Sequence, residues 1–149
     1  MVSDSGRITI AASSVGLMRG ALAACLKYGK ERTAFGKPIT DNQAIQFMLA
    51  DMATEIDAAR LLCYRAATIK DAGERVTQAS AMAKLYASEV AVRATEKGVQ
   101  IFGGYGFIKE FPAEKYYRDV KLCTIGEGTS EIQRMVIARN LLAESKTNR

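Results

Sequence analysis

The sequence predicts an all-α protein, an up-down-up-down four-helix bundle with long helices plus one short extra helix. Apolar residues recur every three or four positions over long runs, which is the spacing of one helix face. The 149 residues contain only 2 prolines, Pro38 and Pro112, so long stretches lack the residue that breaks helices. No alternating apolar and polar segment of useful strand length competes with the helices, and the length fits one domain.

Start and stop signals delimit the first two helices. The first is expected over about residues 6–32, ending before Gly36 and Pro38 because these residues oppose further winding. The second follows a capping box from Thr40 to Gln43, in which a hydroxyl and an amide satisfy each other's backbone donors. It ends near residue 71, since Gly73 can adopt a left-handed cap.

Three more helices are expected in the second half of the chain. A run over about residues 77–102 is apolar on more than one side, which is typical of a helix packed between neighbours. After a glycine-rich segment, Pro112 opens a short helix over about residues 113–122. A second capping box, from Ser130 to Gln133, begins a final helix that extends to about residue 144, and residues 145–149 are expected to fray.

Composition excludes several kinds of chemistry and indicates a compartment. The chain has no histidine, which excludes Ser-His-Asp and Cys-His nucleophiles and His-liganded zinc, and no metal site is expected. Cys25, Cys63 and Cys123 are isolated in apolar surroundings, as buried reduced thiols are. With no membrane-span or signal-peptide pattern in the sequence, we expect a cytoplasmic protein.

The charge balance favours a small anionic ligand over nucleic acid. Lys and Arg number 21 against 16 for Asp and Glu, a formal net charge of +5. Basic residues alternate with acidic ones along the helices instead of forming one patch, so no nucleic-acid partner is expected.

Glu127 is the carboxylate most suited to catalysis. It lies between two glycines, whose backbone freedom lets it point into a cleft. Its apolar neighbours, Leu122, Ile125 and Ile132, would shield it from water and strengthen it as a general base. From the residues alone, a solvated or helix-capping glutamate is the commoner interpretation of such a position.

Three further segments have two interpretations each. Residues 103–106 are a tight connection between helices or a set of backbone amides offered to a ligand. The cations around Lys27, Lys30 and Arg32 complement the helix dipole, or Arg32 clamps a pyrophosphate. Arg7, in a first helical turn that disfavours cations, is compensated by an anionic ligand or is a surface charge misplaced at little cost.

Four motifs together resemble the carboxy-terminal domain of the acyl-CoA dehydrogenase family. They are residues 31–39 (ERTAFGKPI), 43–46 (QAIQ), 99–107 (VQIFGGYGF) and 126–134 (GEGTSEIQR). Their order and spacing match from about residue 4 to residue 142. The resemblance implies a flavin enzyme that removes the α and β hydrogens of an acyl-CoA thioester. Its FAD is reoxidised by an electron-transferring flavoprotein, and its bundle forms homodimers or homotetramers.

The resemblance also assigns roles to residues. Glu127 matches the base that takes the α-proton, and Gly6 matches the position of the base in other family members. Substrate contacts are implied at Asp4, Ser5, Gly6, Arg7 and Gly128. Contacts with FAD, partly with that of a neighbouring subunit, are implied at Arg32, Thr33, Ala34, Asn42, Gln43, Gln100, Ile101, Phe102, Gly103, Gly104, Thr129, Ser130 and Glu131.

Two departures from the family pattern keep other functions open. Gly126 stands where an aromatic residue often precedes the base, so the acyl pocket is expected to differ in shape. The family's amino-terminal helical and middle β domains have no counterpart in the matched residues. The matched residues would therefore supply one wall of the active site. A non-catalytic helical oligomerisation module that lacks flavin when isolated, and a flavin oxidase of the same fold, are the alternatives.

Overall fold

The computed structural model describes residues 3–147 of the chain, and the side chains of residues 3–143. These residues confirm the all-α fold class. The helices are α1 (Asp4–Glu31), α2 (Gln43–Asp71), α3 (Thr77–Phe102), α4 (Ala113–Ile125) and α5 (Ser130–Thr147). α5 continues to residue 147 rather than residue 144, and residues 148 and 149 of the expected frayed tail lie outside the described residues.

Contacts between helix ends establish the directions of the first four helices. α1 and α3 run parallel, since Asp4 accepts a hydrogen bond from Thr77 and Tyr28 stacks on Phe102 at the other end. α2 is antiparallel to α1, because Lys70 near its end donates to Ser5 at 2.6 Å. α4 also returns antiparallel, from a ring contact between Tyr28 and the preceding Phe111 to its end beside Ile10. The up-down-up-down arrangement follows.

α3 lies at the centre of the bundle and packs against each of the other four α-helices of the described chain. Its buried positions are mostly small, which lets neighbouring backbones approach closely: Ala79, Ala81, Ala83, Ala87, Ala91, Ala94 and Gly98. Met18 of α1 and Met52 of α2 are fully buried in the same core. The prediction of a helix packed between neighbours is confirmed.

Neither predicted capping box forms. Thr40 lies in a short 3-10 helix, Ile39–Asp41, and Asn42 is the N-cap residue of α2 without a side-chain cap bond. At α5 the hydroxyl of Thr129 accepts from the N–H of Ile132 at 3.5 Å, in place of Ser130. Both predictions are wrong because α2 begins two residues later, and α5 one residue earlier, than the hydroxyl-to-amide spacing predicts.

A two-stranded hairpin, absent from the sequence predictions, follows α1. Strands β1 (Thr33–Ala34) and β2 (Lys37–Pro38) pair antiparallel. Phe35 and Gly36 form the turn with φ of 53° and 81°, the left-handed values that a two-residue hairpin turn requires. The Phe35 side chain is 99% exposed at the tip.

α1 is long and apolar enough to cross a membrane by length and composition alone. The same helix packs against α2, α3 and α4, as a core helix of a bundle does. The expected absence of a membrane span therefore stays a prediction.

Candidate active site

The loop between α4 and α5 holds Glu127 in a strained backbone conformation. Glu127 has φ 55° and Gly128 has φ 88°, so two successive residues are left-handed. Glycine adopts this conformation freely, whereas another residue loses about 1–2 kcal/mol there. Strain of this kind persists only where surrounding contacts impose it, and it is concentrated at functional sites.

The carboxylate of Glu127 lies against the first turn of α1. A Cβ atom added to Gly6 would stand 2.5 Å from Oε2 and 2.6 Å from the carboxyl carbon of Glu127. Because these distances are shorter than van der Waals contact, the carboxylate occupies space that is open only while residue 6 has no side chain. The structure thus brings together the two positions that the family resemblance assigns to the base.

Two buried side chains donate hydrogen bonds to the loop, and the sequence predictions assign neither of them to the site. The amide nitrogen of Gln133 donates to the carbonyl oxygens of Glu127 and Gly128 at 3.1 and 2.9 Å. Lys84 of α3 donates to the Gly128 carbonyl at 2.7 Å. The sequence predicts Gln133 as half of a capping box. For Lys84, the sequence signal is a cation within the Ala-rich run of a buried helix.

The expected apolar shielding of Glu127 is not supplied by these residues. Leu122, Ile125 and Ile132 are all exposed, and so is Glu127 itself. Leu122 and Ile125 lie on the outer face of α4, and Ile132 on the outer face of α5. The prediction that these side chains shield Glu127 from water is wrong, because they are close to the loop in sequence but face solvent in the structure.

Asp4 and Arg7 form a partly buried polar network at the start of α1. Arg7, 6% exposed, donates to Asp4 at 2.6 Å, and Asp4 also accepts from the hydroxyls of Thr77 and Ser80 at 3.0 Å each. Asp4 therefore compensates the cation that the helix dipole disfavours. The Nε atom of Arg7 is buried and has no hydrogen-bond partner in the described part of the chain. Of the other implied substrate contacts, Ser5 accepts from Lys70 and Gly128 belongs to the loop.

The implied cofactor residues of α1 and α3 meet at the far end of the bundle. A cavity of about 540 Å³ is lined by Tyr28, Arg32, Ile39, Ile101, Phe102, Gly103, Gly104, Tyr105 and Ile108. Gln100 is exposed beside it, where its carbonyl accepts the N–H of Gly103. Thr33 and Ala34 form β1 next to Arg32, while Asn42 and Gln43 begin α2.

The donors of this cavity fit the anionic part of a dinucleotide. Arg32 forms no ion pair within the described residues and lies over the Tyr105 ring, 5.3 Å from its centroid. The backbone at Gly103 and Gly104 faces open space, so a phosphate can approach it.

The remaining implied cofactor residues border a second cavity beside the loop that holds Glu127. Thr129, Ser130 and Glu131 line about 320 Å³ together with Lys121 and other residues of α3 and α4. Hydrogen bonds from its own backbone N–H and from Thr129 hold the pKa of Glu131 below its usual range. The hydroxyl of Ser130 is buried and has no hydrogen-bond partner among the described residues.

The contact between Glu127 and Gly6 is far from Arg32. Gly6 is near the start of α1 and Arg32 directly follows its end, which at about 1.5 Å per residue separates them by roughly 40 Å. One extended dinucleotide is shorter than this distance. A dinucleotide bound beside Glu127 therefore does not reach Arg32 of the same chain.

Comparison with known proteins identifies the family. Residues 3–142 match the family model described as acyl-CoA dehydrogenase, C-terminal domain, so the chain belongs to the acyl-CoA dehydrogenase family. Members of this family use FAD.

Individual relatives share about half of their matched residues with this chain. A probable acyl-CoA dehydrogenase, YngJ of Bacillus subtilis, is 57% identical over 139 residues, which are 93% of this chain and 37% of the relative. The caffeyl-CoA reductase-Etf complex subunit CarC of Acetobacterium woodii is 52% identical over the same shares. The solved structure of butyryl-CoA dehydrogenase from Megasphaera elsdenii is 48% identical with a TM-score of 0.92, over 93% of this chain and 36% of that one. This chain thus spans about a third of the length of the relatives it matches.

Proposed function

We propose that this chain is the carboxy-terminal part of a flavin-dependent acyl-CoA dehydrogenase, in which Glu127 removes the α-proton of an acyl-CoA thioester. The observation that carries the proposal is the Glu127 carboxylate, set in a strained loop against the bare backbone of Gly6. The strained backbone of Glu127 directs this potential base toward the open space beside α1.

The loop also offers a donor for the charge that develops on the substrate. Removal of an α-proton shifts negative charge onto the thioester oxygen, which a fixed N–H group stabilises. The backbone N–H of Glu127 donates to no group in the described part of the chain, so it is available for that oxygen. When bound, FAD supplies the acceptor for the β-hydrogen, which leaves as hydride. Residues outside this chain would exclude water from Glu127, since its own neighbours leave it exposed.

A second copy of the chain is the proposed partner in assembly. The roughly 40 Å between Gly6 and Arg32 implies that Arg32 serves the FAD of a neighbouring subunit. Phe35, 99% exposed at the hairpin tip beside Arg32, is an apolar contact suited to that neighbour. An electron-transferring flavoprotein is the proposed electron acceptor, supported by the relative named as a subunit of a reductase-Etf complex.

Activity is tested in a chimera in which this chain replaces the matching 36% of the butyryl-CoA dehydrogenase of Megasphaera elsdenii. Anaerobic butyryl-CoA should reduce the FAD of the chimera, seen as loss of its absorbance. Glu127→Gln should slow this reduction by about a thousandfold with unchanged FAD content, because an amide cannot take the proton. Glu96→Gln, an exposed change on α3, is the matched control and should leave the rate unchanged. Wild-type rates in the Glu127→Gln chimera would refute the role of Glu127.

A non-catalytic assembly module is the second candidate, favoured by the exposed Phe35. Sedimentation of the purified chain, together with flavin reduction in the chimera, distinguishes the two. We expect a colourless chain in either case, because each cavity holds part of a cofactor site. A chain that self-associates through Phe35, together with a chimera that binds FAD but does not reduce it with any acyl-CoA, would favour the module.

A further inference from the structure

Lys84 is a buried cation without a carboxylate partner. Its side chain is fully buried on α3, and it forms no ion pair among the described residues. Its one hydrogen bond runs to the carbonyl of Gly128 at 2.7 Å. Burial lowers its pKa below the ordinary value, although Glu89 and Glu131 oppose this shift.

Stability of the core does not account for a lysine at this position. A buried ammonium loses its hydration, and a single carbonyl compensates only part of that loss. Methionine has similar length and would fill the same space among the small side chains of α3 without a desolvation penalty. What Lys84 supplies and methionine does not is a hydrogen bond to the residue that follows Glu127.

Gln133 acts on the same loop from another helix. Its amide nitrogen donates to the Gly128 carbonyl that Lys84 binds and to the Glu127 carbonyl as well. The directions of these two carbonyls set the peptide planes on both sides of Gly128, and with them the ψ angle of Glu127. Two buried donors therefore impose the left-handed pair that directs the Glu127 side chain.

We propose that Lys84 is a positioning residue, which together with Gln133 clamps the Gly128 carbonyl and thereby holds the Glu127 carboxylate against Gly6. The consequence for catalysis rests on the proposed function of Glu127. The consequence for loop order does not rest on that function.

Loop order is measured on this chain by backbone ¹⁵N relaxation. Wild type should show order parameters near 0.85 at Glu127 and Gly128, and Lys84→Met should lower them below about 0.6. Order in the α3 core should stay unchanged. The matched control is Lys97→Met on the same helix, whose ion pair with Asp51 at 2.9 Å is partly exposed. Unchanged loop order in Lys84→Met would overturn the proposal, and should that variant not fold, Gln133→Met decides the question in the same way.

Catalytic positioning is measured in the chimera. Lys84→Met should lower kcat at least about tenfold while KM and FAD content stay within about twofold, because the base is displaced and the binding surfaces are not. Equal losses in kcat, FAD content and melting temperature would indicate a merely structural role and overturn this part. If the unaltered chimera does not reduce FAD, the proposed function fails, and the relaxation comparison still decides the role of Lys84.

Discussion

Gly6→Ala separates the position of the base from the stability of the fold. The added Cβ would lie 2.5 Å from Oε2 of Glu127, whereas ordinary contact begins near 3.4 Å, so the carboxylate must move by about 0.9 Å. Misplacing a catalytic group by about 1 Å lowers a rate by up to about a hundredfold. We therefore expect flavin reduction in the chimera to slow by about 10- to 100-fold.

Stability should change in the opposite direction. Glu127 is exposed, so its carboxylate can swing away with little strain, and alanine is favoured over glycine in a helix by about 0.5–1 kcal/mol. Urea unfolding of the chain should show an equal or higher free energy of unfolding. Gly16→Ala is the matched control, since Gly16 lies on the same helix with nothing within 4 Å of an added Cβ.

Gly16→Ala should stabilise the chain similarly and leave the rate of flavin reduction unchanged. A Gly6→Ala chimera that works within twofold of the parent would show that the carboxylate is not used where the structure puts it. A loss of activity accompanied by a large loss of stability would equally refute the reasoning.

Three further predictions follow from the same contacts. The double variant Gly6→Glu with Glu127→Gly should recover part of the flavin-reduction rate that Glu127→Gly abolishes. The reason is that a carboxylate on residue 6 would reach the space that the Glu127 carboxylate occupies in wild type. No recovery would contradict this geometry. Because burial lowers the pKa of Lys84 from 10.5, the unfolded chain binds more protons, and the stability of wild type relative to Lys84→Met should rise as pH increases toward 10.5. Urea unfolding at several pH values checks this, and a flat difference would contradict it. Burial raises the pKa of Cys25 to about 12 and of Cys63 to about 11, so a disulfide reagent at about pH 8 should react with neither thiol before the chain unfolds.

Local patterns predict the helices well because the buried positions of each helix recur at helical spacing. The bounds of α3 agree with those expected from the spacing of apolar residues. Helix starts are less predictable, since Thr40 lies in a 3-10 helix that precedes α2 and Thr129 caps α5 in place of Ser130. The Phe35 hairpin was missed because a non-glycine residue takes the first left-handed position of its turn.

The candidate site was predicted only in part from the residues. Glycines around Glu127 identified the loop, and the family resemblance paired it with Gly6. The contact between Gly6 and Glu127 joins residues 121 positions apart, which no local pattern encodes. The clamp by Lys84 depends on how α3 packs under the loop, and its sequence signal was only a cation in an apolar run.

Exchange at the substrate α-carbon tests the role of Glu127 most directly. In deuterated water, the anaerobic chimera should transfer solvent deuterium to the α-position of butyryl-CoA, and Glu127→Gln should reduce that exchange by about a thousandfold with FAD still bound. Exchange at the parent rate in the Glu127→Gln chimera would show that another group takes the α-proton.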